Sequence, residues 1–536
     1  MYSAGMTTIC VRSPADGSLV GEVSTSSSEE IHARVARASA AAEKWRRTPL
    51  RERARAMRRL RTEVLKARSR IAELIAREQG KPLLEAYLAE VFPCIDHLTF
   101  LILDGPRILA PRRARHAQPF LAARKAHYVF QPYGVWALIS PWNYPFVIPF
   151  LQAATLVFAG NGVVVKPSPF TPLSGALVKD LFQAAGFPEG LVEVVHGGAV
   201  EGEALVRSNG IRAVLFTGGP EGGRKVLAAA ADGLKKVVLE LGGKDAALVL
   251  DDAPLERAAK GIAWAAMFNA GQTCASVERV LVEKPASARF KELLAAEVSA
   301  LRVGHPLQAG VDIGPLTAAF QLERVKAQVD AARKGGARIS AGGETRHDLG
   351  PLYYAPTVVE EPPGGSTLLR EETFGPVVAV QTVDSLDSAV RAANDAEYGL
   401  TTSIWTRDKR RARALIPEIQ CGVVTVNSHL ASYGEPRSAW GGFGPSGFGR
   451  THGEFGLLEA AQVQYVDEGY SEKHDLWWYP ATERVRDIVE RTFELIADPS
   501  AVSRARALLK LLPHSAYLAR RAPTVRMLPA FLRYFR

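Results

Sequence analysis

AVLFTGGPEGGRKV, residues 213–226, passes from an apolar β-forming run through a double glycine into a segment of helical character. Pro220 suits the first turn of a helix, and Gly218, Gly219, Gly222 and Gly223 surround it. Glycines at such a turn let backbone N–H groups and the positive end of the helix dipole approach a pyrophosphate. The stretch is not the G-x-G-x-x-G fingerprint, and a tight strand-to-helix turn would use glycine for its own geometry, so its weight comes from its surroundings.

Outward from it, between about residues 128 and 285, β-rich runs alternate with helical segments: YVFQPYGVWALIS, GNGVVVKPS, VEVVHG, AVLFTGG, KKVVLELGG and AALVLDD. PLSGALVKDLFQAAG is one of the intervening helices, closed by Gly186, where a C-cap wants positive φ. This alternation predicts parallel βαβ units, and near-continuous apolar strands such as VVV and AVLF fit a sheet covered on both faces. A second α/β unit follows residue 275, with RVLVEK, helical ARFKELLAAEVSAL, VVAVQTV and SIWTRD. Gly and Pro then gather in GEPRSAWGGFGPSGFGR, residues 434–450, which reads as a long functional or connecting loop.

Composition sets the outer limits. The 536 residues, 47% hydrophobic and 23% charged, predict two or three packed domains of an ordinary soluble protein. Four widely spaced cysteines, Cys10, Cys94, Cys274 and Cys421, point to a reducing compartment and show no zinc or redox spacing, so no metal is expected. The N-terminus lacks a signal-peptide pattern, and no stretch offers the ~20 uninterrupted apolar residues of a membrane span; a cytoplasmic location is the expectation. Net charge is +10, unevenly spread. Arginines from Arg46 to Arg61 lie all round a helix-forming segment, which marks a solvated helix, and nucleic acid is not expected as a partner.

Three residues stand where chemistry is done. Cys274 sits in FNAGQTCAS, in a loop after the helical pattern KGIAWAAMF. Glu240 ends the strand-forming KKVVLE just before Gly242 and Gly243, and the carboxyl ends of strands are where open α/β sheets gather catalytic groups. Asn143, in the turn of ISPWNYPF, offers an amide able to stabilise an oxyanion. Lys166, at the end of a buried strand in VVVKPSPFTP, needs water, a partner, or a ribose or phosphate group for its ammonium.

PWNYPF, VVVKPS, FTGGPEGG, LELGGK, FNAGQTC, EETFGPV and WGGFGPSGFGR occur together and in this order, and by them the chain resembles the aldehyde dehydrogenase superfamily from roughly residue 10 to residue 466. The resemblance implies an aldehyde dehydrogenase-like α/β fold in three parts. A Rossmann-type nucleotide-binding domain takes residues 1–113 and 133–242, and an α/β catalytic domain takes 243–444. A small β extension, 114–132 with 459–467, pairs subunits into homodimers or homotetramers. It also implies NAD(P)⁺-dependent oxidation of an aldehyde to a carboxylate. Cys274 would be the nucleophile, forming a thiohemiacetal and then a thioester, Glu240 the general base that hydrolyses it, and Asn143 the oxyanion donor with the Cys274 backbone N–H. Cofactor contacts fall on Ser140, Trp142, Lys166, Ser168, Gly218, Gly219, Gly223, Leu241, Glu372 and Phe374, with Glu372 on the nicotinamide ribose and Phe374 against the ring.

Two positions depart from the family pattern. Where many NAD⁺-preferring members carry a Glu after Lys-Pro-Ser, this chain has Pro169, which removes an acceptor for ribose hydroxyls and a repulsive charge against a ribose phosphate; NAD and NADP both stay open. The usual Gly-Ser of the pyrophosphate turn is Gly218-Gly219. An acylating relative that passes its thioester to coenzyme A or phosphate typically lacks the base found here as Glu240. A catalytically silent scaffold would not need Cys274, Glu240 and Asn143 together.

Beyond VQYVDEGY the tail, residues 468–536, follows its own pattern. Val485, Ile488, Val489, Phe493 and Ile496 fall near helical spacing on one face, ARALLKLL follows, and Pro513, Pro523 and Pro529 interrupt what could be a longer helix. From Pro499 onward there are eight Lys or Arg and no acidic residue. Two readings stay open: a helical appendage packed on protein, or a basic amphipathic segment lying on the anionic inner surface of a membrane. The tail is similar to the extensions of a membrane-associated branch of the family, which implies a hydrophobic medium- or long-chain aldehyde as substrate.

Overall fold

Five parallel strands lie side by side in the order Lys236–Glu240, Ile211–Thr217, Val135–Ile139, Gly162–Lys166 and Val192–Val194. The short strand Gly447–Phe448 runs antiparallel along the outer edge of the first. Chain order reverses beside Val135–Ile139: its successors in sequence lie first on one side, then on the other. That reversal opens a crevice at the carboxyl ends of the strands. The runs GVVVK and VWALI are buried along their whole length because helices cover both faces.

A second sheet has seven strands, in the order Arg338–Ala341, Thr357–Glu360, Val377–Val383, Val277–Glu283, Asp245–Val249, Thr401–Trp405 and Val423–Val426. All its pairs are parallel except the first, which is antiparallel. The computed structural model describes residues 8–118, 121, 124–470, 472 and 474–521. Contacts divide the chain at Ile108/Leu109, Gln131/Pro132 and Ala461/Gln462 into two units, and both of these sheets belong to the larger.

The smaller unit carries a three-stranded sheet in the order Ala461–Glu468, Lys125–Pro132, Arg112–Ala114. It also carries the helices Glu483–Ala497 and Ala501–Leu511, which pack on each other.

Four expectations need correction. The run YVFQPYGVWALIS is two strands: it breaks at Tyr133-Gly134, where Gly134 takes φ +122°, and its first half pairs antiparallel with Arg112–Ala114. AALVLDD belongs to the seven-stranded sheet, beside Val277–Glu283. Not every arginine of the basic helix is solvated: Arg53 is buried, donates to the carbonyls of Phe158 and Arg46, and burial lowers its pKa to about 10. In the tail, Ile488, Thr492 and Leu495 form the buried face of the first helix, while Phe493 is 61% exposed. Pro523 and Pro529 lie outside the described residues.

One helical stretch, Leu83–Leu103, is long and apolar enough by composition to cross a membrane, although no uninterrupted span was visible in the sequence. Its carboxylates Glu85 and Glu90 are bonded inside the protein, and 61% of its most apolar window is buried, as in the core helix of a globular domain.

Candidate active site

Cys274 follows a turn that few sequences could form. The helix Leu255–Met267 ends, and Asn269, Ala270 and Gly271 take φ values of +58°, +53° and +68° in succession. Left-handed backbone costs an ordinary residue on the order of 1–3 kcal/mol, so the surroundings must hold it. Asn269 does most of this: its Nδ2 donates to the carbonyls of Asn143 at 2.9 Å and Gln272 at 3.0 Å, and its Oδ1 accepts from Gln79 at 3.0 Å. Its backbone N–H donates to Glu85 at 3.0 Å. At Gly271 a Cβ would lie 1.9 Å from the carbonyl oxygen of Gly375, so only glycine fits. Next to Cys274, Thr273 Oγ1 and the Tyr144 hydroxyl are 2.7 Å apart.

Asn143 is buried facing this turn. Its Nδ2 donates to the Gln272 carbonyl at 3.0 Å, which uses one of the two amide hydrogens, while its Oδ1 has no partner. The Asn143 carbonyl accepts from Lys81 at 3.1 Å, and Lys81 is fully buried and ion-paired with Glu90. Glu90 in turn accepts the backbone N–H groups of Phe146 and Val147. The turn around Asn143 is therefore clamped from below by a buried ion pair that the sequence reading did not single out. Lys81 and Glu90 stand in helix and loop context where either could have been a surface charge.

Glu240 is 1% exposed at the end of its strand. Trp440 Nε1 donates to one carboxylate oxygen, and the Thr217 hydroxyl lies 3.5 Å from the other. Burial raises its pKa to about 7, against the lowering effect of those two bonds. The Cys274 thiol is pushed well above its ordinary value, first by burial and then by the charges of Glu240, Asp245 and Glu372. Among the described residues the charged groups acting on the sulfur are carboxylates, which disfavours its thiolate form. The thiol is neutral at rest, and a base close to neutrality stands near it.

The crevice forms a cavity of about 660 Å³. Of the residues expected at the cofactor, Ser140, Trp142, Lys166, Ser168, Gly218, Gly219, Leu241, Glu372 and Phe374 line it, together with Asn143 and Cys274. Gly223 does not: a Cβ there would meet Leu241 at 2.7 Å, so its smallness lets the helix Pro220–Ala231 sit close to the sheet, and Gly222 lines the cavity instead. Glu240 lies behind the lining.

The residues fit a dinucleotide. A Cβ on Gly219 would meet nothing, and the helix Pro220–Ala231 begins there without a side-chain cap, leaving its first N–H groups for a pyrophosphate. Lys166 is buried, donates to the carbonyls of Pro167 at 3.1 Å and Gly197 at 3.0 Å, and makes no ion pair among the described residues. Burial lowers its pKa to about 8. Ser140 Oγ is buried without a partner.

Glu372 accepts from Gly243 N–H at 3.0 Å, and burial raises its pKa to about 8. Phe374 takes φ +54° and stands edge-on to Trp142 at 5.4 Å. Its loop is fixed by residues the sequence reading missed: Gln321 donates to the Thr373 and Phe374 carbonyls, and Glu278, paired with Lys244 at 2.5 Å, accepts the N–H groups of both.

Residues 2–466 match the aldehyde dehydrogenase family. The chain is 38% identical over 453 residues to the 4,4'-diapolycopene aldehyde oxidase of Methylomonas sp, covering 84% of each protein. To a putative succinate-semialdehyde dehydrogenase [NADP(+)] of Mycolicibacterium smegmatis it is 34% identical over 440 residues, covering 82% of this chain and 84% of the other. An aldehyde dehydrogenase from Bacillus cereus, solved as an NAD+ complex, superposes with a TM-score of 0.82 at 29% identity, over 87% of this chain and 94% of that one. The chain belongs to the aldehyde dehydrogenase family and is an NAD(P)-dependent aldehyde dehydrogenase, in a family whose members typically assemble as homo-oligomers.

Proposed function

We propose that the chain oxidises a neutral, apolar aldehyde to its acid through a thioester on Cys274, hydrolysed with Glu240 as general base. The observation that carries the chemistry is that Cys274 and Asn143 line one cavity, with the buried Glu240 carboxylate, its pKa raised to about 7, acting on the thiol from behind the lining. As the sulfur adds to the aldehyde carbon, Glu240 takes the thiol proton, and the second Asn143 amide hydrogen meets the oxygen that becomes negative. A nicotinamide bound in the cavity supplies the hydride acceptor. Lys166 and the glycine turn would hold that cofactor, and Glu372 and Phe374 would confine its reacting end. Glu240 gives the thiol proton up to solvent, then takes one from the water that attacks the thioester, and returns it to the departing sulfur as the acid leaves. Since the base acts only when ionised, hydrolysis slows as pH falls below about 7.

The substrate class is read from the surroundings of Cys274. Among the described residues no cation acts on Cys274 that could hold a substrate carboxylate, while Tyr144, Tyr433 and Trp440 form an aromatic cluster beside Glu240, behind the cavity lining. These surroundings support a hydrocarbon-bearing aldehyde over succinate semialdehyde, as does the name of the Methylomonas relative. With increasing chain length kcat/KM should rise, and succinate semialdehyde should be poor; a preference for the semialdehyde would overturn this assignment.

The chemistry is tested by mixing Glu240→Gln with aldehyde and oxidised cofactor. A burst of reduced cofactor no larger than the enzyme concentration is expected, with an acyl adduct on the Cys274 peptide by mass spectrometry and hydrolysis slowed ~10²–10⁴-fold. Cys274→Ala should give neither burst nor turnover. Full steady-state turnover by the Gln variant would remove Glu240 as the base.

A second reading concerns the smaller unit, where Trp478, Tyr479, Phe493, Val502, Leu509 and Leu512 are 52–93% exposed, near the arginines of the two tail helices. Large apolar side chains beside cations support peripheral binding at the inner surface of an anionic membrane. Full-length protein should sediment with anionic liposomes at low salt, and deletion after residue 470 should abolish this while sparing turnover of a short aldehyde. Failure of the full-length protein to sediment would end this reading.

A further inference from the structure

Trp440 is fully buried, and its indole N–H reaches Glu240 across 200 residues of sequence. The ring is fixed by Tyr433, edge-on at 5.1 Å and 89°, which itself meets His452 edge-on at 4.8 Å. The segment that carries Trp440 also holds the backbone of the base. Gly447 pairs with Glu240 and Phe448 with Leu239, and the Ser446 carbonyl accepts Leu241 N–H at 3.1 Å. Residues 440–448 therefore grip Glu240 at both its main chain and its side chain.

An indole N–H donates and cannot accept, so it neither takes nor passes on a proton. Its bond occupies Oε1 and leaves Oε2, which among the described residues faces the Thr217 hydroxyl alone, at 3.5 Å. We propose that Trp440 is a positioning residue for thioester hydrolysis: it anchors Oε1 of Glu240, favours the charged carboxylate, and presents Oε2 as the atom that takes the proton of the attacking water. This rests on the reading of Glu240 as general base.

The surroundings agree with that role. The groups that act on Glu240 are Trp440 and Thr217, both of which lower its pKa against burial, and the ionisable neighbours coupled to it are the Cys274 thiol and the Tyr433 phenol, both neutral. Among the described residues no cation shares the task, and the indole is the larger of the two contacts that keep the base usable near neutrality.

The test is the pH profile of hydrolysis, measured as decay of the acyl-enzyme after a single turnover. Trp440→Phe keeps an aromatic ring and loses the donor; the acid limb should move up by about one pH unit, or about tenfold slower hydrolysis on that limb, with the first hydride transfer slowed less. Trp440→Tyr restores a donor on a ring and should bring the limb back toward the wild-type position. Equal shifts in both variants would show that only packing had been lost, and an unmoved limb in the Phe variant would likewise overturn the proposal.

Wild-type protein gives a check that needs no stable Phe variant. With eight tryptophans in the chain, the indole N–H resonance missing from Trp440→Tyr can be followed by NMR. It should titrate together with the hydrolysis limb and stop titrating in Glu240→Gln. A resonance indifferent to pH in the wild type rules the contact out. Full turnover by Glu240→Gln would sink the base assignment and this proposal together; a slow Gln variant beside an unmoved Trp440→Phe limb would sink this proposal alone.

Discussion

At the Cys274 end of the cavity, side chains are tied to the protein itself: Asn143 to Gln272, Glu240 to Trp440, Thr273 to Tyr144, and Asn269 to four different partners. At the nucleotide end, Lys166 rests on two backbone carbonyls, Ser140 Oγ has no partner, and Gly219 has open space where a side chain would be. The difference follows from what each end must do. A reacting centre gains rate from donors and bases already in place before charge develops, whereas a cofactor cradle gains affinity from groups that the ligand itself completes. Damage at the first end should therefore appear in kcat or in folding, and damage at the second in cofactor affinity.

The sharpest way to break the reacting end is Gly271→Ala. A Cβ at φ +68°, placed 1.9 Å from the Gly375 carbonyl, cannot be accommodated without moving the turn that carries Cys274. We expect loss of measurable oxidation and destabilisation on the order of 1–3 kcal/mol or more, read by thermal unfolding and activity. An active Ala variant of normal stability would show that the strained turn is not what aims Cys274.

Asn143→Ala comes next. Loss of one oxyanion donor is expected to lower kcat by roughly 10²–10³-fold, with the cofactor dissociation constant little changed. If cofactor affinity fell as much as kcat, the separation between the two ends would be wrong.

That separation was only partly legible in the sequence. The glycine turn, Glu240 at a strand end and Cys274 after a helix could be read because local patterns carry them: apolar runs, glycine punctuation, helix periodicity. Trp440 could not be matched to Glu240, since the contact spans 200 residues and depends on an edge strand only two residues long. Lys81 and Glu90 were missed because nothing local distinguishes a charge bound for the interior from one on the surface. Gly223 was assigned to the cofactor from motif position, yet its Cβ direction, which only the packed helix reveals, points at Leu241. In the tail the apolar spacing was right for a helix and misleading about its buried face, because Thr492 packs inward and Phe493 outward.

At the cradle, Lys166→Met removes a buried ammonium while keeping the length of the chain. The cofactor dissociation constant should rise about tenfold, as for loss of about 1.4 kcal/mol, with kcat nearly kept. The wild type supplies its own control. Burial lowers the Lys166 pKa to about 8, so the ammonium is charged below that value and its contribution fades as pH rises through it. Cofactor binding by the wild type should weaken above about pH 8, and the Met variant should lack that step. A collapse of kcat in the Met variant would place Lys166 in the reacting end.

Pro169→Glu should have the smallest effect, because it changes who is admitted and not how the cradle works. Pro169 lines the cavity beside Ser168, on the wall formed after the strand Gly162–Lys166. Proline offers no side-chain acceptor to ribose hydroxyls and no charge against a ribose phosphate, which leaves both NAD and NADP admissible. A glutamate would supply both, gaining hydrogen bonds with NAD and repulsion with NADP. Buried Lys166 lies three residues away and would partly offset the new charge, so the gain in discrimination should stay modest. The ratio of kcat/KM for NAD over NADP should rise by about tenfold or less, the equivalent of up to about 1.4 kcal/mol. Hydrolysis of the acyl-enzyme should not change, since Glu240 and Trp440 lie behind the lining to which Pro169 belongs. An unchanged cofactor ratio would mean that the adenosine ribose is read elsewhere on the lining, with Glu203, Arg207 and Lys225 the charged residues of that wall to test next.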